Sequence, residues 1–121
     1  MIRDLVRAGA VALAATAATF GASAAATPFD GPWSLTFITR SGSCEPSYHF
    51  DVYIRNGVIR HPNLVRFKGR VARNGEVRAS VAVENRYASG SGRLNRTSGR
   101  GNWAGRADGA RCSGTWIATR S

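Results

Sequence analysis

The sequence predicts an all-β protein: a small eight-stranded antiparallel up-and-down barrel with one disulfide, a two-sheet sandwich being the alternative. Three observations carry this expectation. From residue 27 onward the apolar residues recur with period two and nowhere with helical spacing. Short clusters of Gly, Asn, Asp and Ser, two of them Asn-Gly, divide that region into segments of strand length. The chain has only two cysteines, Cys44 and Cys112, far apart in sequence. Consecutive hairpins meander, and closing the meander on itself removes the exposed edges that invite aggregation.

Residues 1–26 read as an export signal, not as part of the fold. Residues 1–7 form a basic n-region, 8–20 an apolar alanine-rich core, and 21–26 offer small-residue cleavage sites. Cleavage is expected after Ala26, with Ala24 as the second choice. A membrane anchor is the poorer reading, because the apolar run falls short of the ~20 residues that span a bilayer. After cleavage no transmembrane segment is expected, and the protein is placed in the periplasm or outside the cell. Residues 27–121 then suffice for one β-barrel domain.

Residues 27–32 are a turn-rich lead-in with Pro28 and Pro32 outside any ladder. Residues 33–40 form strand one, alternating Trp33, Leu35, Phe37 and Thr39 against Ser34, Thr36, Ile38 and Arg40. A loop over 41–47 places Cys44 just before strand two, residues 48–55, where Tyr48, Phe50, Val52 and Ile54 face inward. Asn56-Gly57 demands a two-residue type I′ turn, since both central residues need positive φ. That turn pairs Ile54 with Ile59 and keeps both on the apolar face. His61-Pro62-Asn63 interrupts strand three, so a bulge or a short edge is expected there.

Strand four is expected over 64–72, with Val65, Phe67, Gly69 and Val71 inward. At the second Asn-Gly a two-residue loop would oppose Ala72 to Val77 and expose Val71. A three-residue loop, Arg73-Asn74-Gly75, with Gly75 left-handed, opposes Val71 to Val77 instead. Burying each valine contributes about 1.5–3 kcal/mol, so the longer loop is expected. Residues 77–84 carry Val77, Ala79, Val81 and Val83 inward, and residues 87–94 carry Ala88, Gly90, Gly92 and Leu94. The last hairpin, 99–120, turns at Ala107-Asp108-Gly109-Ala110, with Trp103, Cys112, Trp116 and the alternate glycines on its inner face. Closure is expected to set Trp33 beside Trp116. The barrel-lining aromatics are Trp33, Phe50, Phe67, Trp103 and Trp116, fitted over inward glycines. A filled interior is the expectation, and an open apolar cup the alternative.

In an oxidising compartment Cys44 and Cys112 read as a disulfide closing a 68-residue loop, worth about 4 kcal/mol in the chain-entropy model. The formal net charge is +10; the signal holds Arg3, Arg7 and Asp4, so +9 remains, with Lys68 the only lysine. Such an excess speaks first to solubility and then favours anionic partners. Arg60, Arg66, Lys68, Arg70 and Arg78 all point outward from adjacent strands, so they are expected to form one anion-binding patch. Arg93, Arg96, Arg100, Arg106 and Arg111 form a second group. Nucleic acid is disfavoured: stacking needs exposed aromatics, which only Tyr53 and Tyr87 supply, and exported proteins rarely meet it.

Catalysis needs a nucleophile with a base, paired carboxylates or a metal. The best polar cluster is His49, Asp51 and Tyr53 on the outward face of strand two. His61 is expected opposite Val52, facing inward, so the two histidines do not meet. No enzyme activity, metal or cofactor is therefore expected.

Several local patterns resemble one group of proteins. They are Phe29-Asp30-Gly31-Pro32-Trp33-Ser34, Gly42-Ser43-Cys44, Gly90-Ser91-Gly92-Arg93-Leu94, Gly101-Asn102-Trp103 and Cys112-Ser113-Gly114-Thr115-Trp116. Together they resemble a group of small secreted bacterial β-proteins of unassigned function, which implies a shared fold and nothing catalytic. Size, export, disulfide and topology are also similar in architecture to periplasmic inhibitors of proteases and lysozymes. A lysozyme target is disfavoured, because lysozymes are usually basic, as this chain is. The expected function is a non-enzymatic binding module for an anionic envelope component or an exported protein. The alternatives are an inhibitor of an exported hydrolase and a carrier of a small apolar ligand.

Overall fold

Eight strands form in the computed structural model, which describes residues 26–64 and 66–121. They are β1 (Gly31–Ser41), β2 (Ser47–Arg55), β3 (Val58–Arg60), β4 (Phe67–Val71), β5 (Glu76–Val83), β6 (Arg86–Leu94), β7 (Ser98–Ala107) and β8 (Ala110–Arg120). Each pairs antiparallel with the next, and β8 pairs back onto β1, so the barrel is closed. The expected export signal lies outside the described residues, save Ala26. Among the described residues no helix is long and apolar enough to cross a membrane.

The turns fix the register. Asn56 and Gly57 have φ of 53° and 80°, and Ile54 faces Ile59 as a two-residue I′ turn requires. The second Asn-Gly takes the longer loop: Gly75 has φ of 94°, Ala72 N–H donates to Glu76 O at 2.8 Å, and Val71 faces Val77. Burial of two valines thus overrides the tighter turn.

Two local expectations change. Strand four begins at Phe67 and not at residue 64, because the loop before it satisfies its own backbone. His61 Nδ1 accepts the N–H groups of Asn63 and Leu64 at 3.1 and 3.2 Å, and Phe67 N–H donates to Leu64 O at 3.1 Å. Pro62 has no N–H to offer a ladder. Val65, expected to face inward there, lies outside the described residues. The second change concerns closure. Trp116 faces Phe37, whereas Trp33 faces Arg120. Strands of a barrel are tilted and staggered, so the seam's register depends on the whole ring and not on any local turn.

Inside, Trp33 is 1 % exposed, and Trp116, Trp103, Phe67, Val52 and Ile54 are buried with it. Phe50 is half-buried and packs against this core. The central lumen retains a void of only about 30 Å³, room for about one water by volume. The interior is filled.

The two ends differ. At one, the lead-in folds under the barrel and buries Phe29, whose carbonyl accepts the Trp33 indole N–H at 2.8 Å. Arg120 clasps this end. Its guanidinium lies 5.2 Å from the Trp33 ring centroid, donates to Pro28 O and Arg96 O at 2.9 Å, and also reaches Asp30 O. Arginine's planar fork is what lets one side chain serve three carbonyls. Sequence reasoning missed this residue, because a terminal arginine reads as solvated. Asp30 completes the seal, accepting Asn56 N–H at 2.8 Å and the Thr27 hydroxyl at 2.5 Å.

Desolvation alone would raise the Asp30 pKa, but the Thr27 hydroxyl and the amides of Asn56, Thr27 and Gly57 outweigh it and hold the carboxyl below its ordinary 3.8. A depressed carboxylate contributes stability above its unfolded pKa and loses it as pH falls through the folded value. Asp30→Asn is therefore expected to melt a few degrees below wild type at pH 7. The gap should narrow below pH 3.8, read by thermal denaturation across a pH series. A gap that stays constant with pH would refute this role.

Candidate functional site

The short strands β3 and β4 stand beside the longer β5, β6 and β7, and across them the outer face of the barrel is concave. The groove encloses about 1000 Å³. Arg60, Lys68, Arg70 and Arg78 form its cationic side. Ser80 and Ser91 lie along its floor beside their cross-strand partners Ser89 and Asn102. Alternation explains the composition: odd positions of β5 and β7 face the core, so the even positions, polar apart from Ala82 and Ala104, turn outward. Arg66 was expected with this patch, but it lies before β4 on an exposed turn and is not part of the groove wall.

Register places Arg70 directly opposite Arg78. The same arrangement recurs at Arg93–Arg100 and Arg106–Arg111. Directly opposed residues on antiparallel strands carry Cβ atoms about 4.5–5.5 Å apart, where like charges destabilise the sheet. Carboxylates do little to relieve this. Among the described residues the ion pairs are Arg93–Glu76 at 3.9 Å and His49–Asp51 at 3.1 Å, and neither involves Arg70, Arg78, Arg106 or Arg111. Two adjacent guanidiniums over a hydroxyl-bearing floor can hold one phosphate or carboxylate by charge-assisted, bidentate hydrogen bonds. The signal for these pairs was present in the sequence: once Val71 is set opposite Val77, Arg70 must face Arg78.

The other polar cluster forms on the outside of β1 and β2. His49 Nε2 lies 3.1 Å from Asp51 Oδ1, the Thr36 hydroxyl lies 3.5 Å from His49 Nδ1, and Ser34 Oγ donates to Asp51 at 3.3 Å. The hydroxyl contacts are long, His49 and Asp51 are exposed, and none of these residues lines the groove. His61 differs from its expected place. The ladder stops at Arg60, so His61 is not paired with Val52. Its ring still turns inward, stacked 6.1 Å from Phe67 and edge-on 5.9 Å from Phe50. The two histidines remain apart.

Cys44 and Cys112 are joined, with Cα atoms 6.0 Å apart, at the end opposite the Arg120 clasp. Comparison of the chain with family models, with curated proteins and with solved structures finds no match.

Proposed function

We propose that this protein is a non-enzymatic, exported binding module that holds a phosphate- or carboxylate-bearing component of the cell envelope in the groove across β3 to β7. One observation carries the reading: Arg70 stands directly opposite Arg78 with no ion-paired carboxylate among the described residues, an arrangement that costs stability until an anion lies between them. The serine and asparagine floor adds hydroxyl and amide donors for the same oxygens or for an attached sugar. The +9 that remains after the signal raises the local concentration of such partners and speeds their encounter.

The test uses wild type and Arg70→Glu/Arg78→Glu on three supports: phosphatidylglycerol vesicles, neutral phosphatidylcholine vesicles, and an immobilised carboxylated polysaccharide. Wild type is expected to be retained on at least one anionic support, to release as salt rises through physiological strength, and to ignore the neutral vesicles. The double variant should bind at least tenfold more weakly. The two anionic supports separate a lipid head group from a glycan. Retention unchanged in the variant, or absent from both anionic supports at low salt, would sink the reading.

A further inference from the structure

The end of the barrel opposite the clasp is open. There the ladder has run out, and a cup of about 320 Å³ remains, at the lower end of the ~300–1,000 Å³ of small-molecule sites. Its base is aromatic: Phe37 and Trp103 pack at 5.9 Å between centroids, and Phe50 meets Phe37 edge-on at 5.6 Å. The Trp103 indole N–H is already spent on Ile38 O at 3.1 Å, and the Tyr48 hydroxyl accepts Glu45 N–H at 3.1 Å. Apart from the Tyr48 O–H, which remains free to donate, the deep part of the cup is carbon.

The rim is different. Val83 and Arg86 face one another at the last pair of β5 and β6, on the inward side of the alternation, whereas Tyr87 and Arg106 form the neighbouring outward pair, at the lip. Val83 is 38 % exposed and Tyr87 52 %, large apolar surfaces left in water at the edge of a hollow. Arg86 and Arg106 both line the cup, and among the described residues neither is in an ion pair. Glu45, Glu84 and Asp108 lie on or beside the loops of this end, and none of them lines the cup.

We propose that this mouth binds a small amphiphilic anion, a medium-chain carboxylate, with its hydrocarbon tail on Phe37, Phe50 and Trp103 and its head group on Arg86 at the inner rim, beside Arg106 at the outer lip. Burying the tail supplies the affinity at about 25 cal/mol per Å² of apolar surface, and the two guanidiniums supply the choice of charge. The site shares Trp103 with the lining of the groove across β3 to β7, but none of the arginines and serines that carry that reading. It also gives the apolar-ligand alternative a different address, since the central lumen is full.

The probes are decanoate and decyltrimethylammonium below their micelle concentrations and 1-decanol below its solubility limit, followed by calorimetry and tryptophan fluorescence. Decanoate is expected to perturb the indole emission and to bind at least tenfold more tightly than the other two. Arg86→Glu/Arg106→Glu should reverse that order, and both substitutions lie on the exposed rim, where circular dichroism can verify the fold. Arg70→Glu/Arg78→Glu should leave decanoate binding unchanged. The proposal is overturned if wild type ignores decanoate, if decanol binds equally well, if the rim variant keeps its preference, or if only the groove variant loses binding.

Discussion

Replacing Gly101 with alanine is expected to lower the thermal midpoint by about 12–24 °C, the equivalent of about 3 kcal/mol in a domain of this size. Gly92 and Gly101 face each other across β6 and β7, and Gly101 in turn faces Trp116 on β8. The indole of Trp116 lies across this glycine pair and donates to Ser91 O at 3.1 Å. A Cβ on Gly101 would stand 2.6 Å from Trp116 Cε2 and Nε1 and would collide with Ser91 O as well. Neither can give way, because one is backbone and the other is a buried ring. Gly69 is the control. A Cβ there meets only side-chain carbons of Ala79 and Ile59 at 3.1 Å, no backbone oxygen and no ring, so a shift of a few tenths of an ångström relieves it. Gly69→Ala should therefore cost less than about 1 kcal/mol. Equal melting of the two variants would show that the indole does not need its glycine bed.

Loss of the disulfide should be of similar size. The bond between Cys44 and Cys112 closes a loop of 68 residues, and removing it frees the unfolded chain by about 4 kcal/mol in the chain-entropy model. Against the ~5–15 kcal/mol of a typical domain that is a large share. Cys44→Ala/Cys112→Ala is expected to melt about 15–30 °C below wild type, and the oxidised wild type should fall to the same midpoint when reductant is added. A midpoint shift under about 4 °C would mean that the barrel's own seam, β1 on β8, already supplies the constraint. Because Cys44 and Trp103 both line the open cup, the double variant should also weaken decanoate binding, without altering retention on anionic surfaces.

Much of this architecture could be read from residue order, and the reason is specific. Period-two alternation decided which residues of β2, β5, β7 and β8 enter the core. Asn56-Gly57 fixed one hairpin by backbone chemistry, and the Val71–Val77 pairing fixed another against the tighter turn. These are local decisions, made within a dozen residues. What escaped was non-local. The stagger of β8 against β1 is set by the whole ring, so Phe37, and not Trp33, meets Trp116. The role of Arg120 depends on three carbonyls from the lead-in and the β6–β7 turn, which converge only after closure. The loop before β4 depends on His61 capping two amides, a device that the sequence presents only as a histidine before a proline. In the groove, Arg60, Lys68, Arg70 and Arg78 were legible from alternation, but their opposition in pairs followed only from the register. An open apolar cup was an alternative for the barrel's interior, but its place at one end was not legible: Val83 read as an ordinary inward residue and Arg86 as part of the turn after it.

The seam between the first strand and the last has a consequence for the order of events in time. Its pairing joins Trp33 to Arg120, and the hydroxyls of Ser34 and Ser121 meet at 3.3 Å, so residues 87 positions apart come together there. Contacts of such span are the slowest to form, because the entropy of closing the ring precedes any reward. A chain growing from its N-terminus can zip hairpin after hairpin, yet it keeps two bare strand edges until residue 120 has emerged. The keystone of this ring is delivered last.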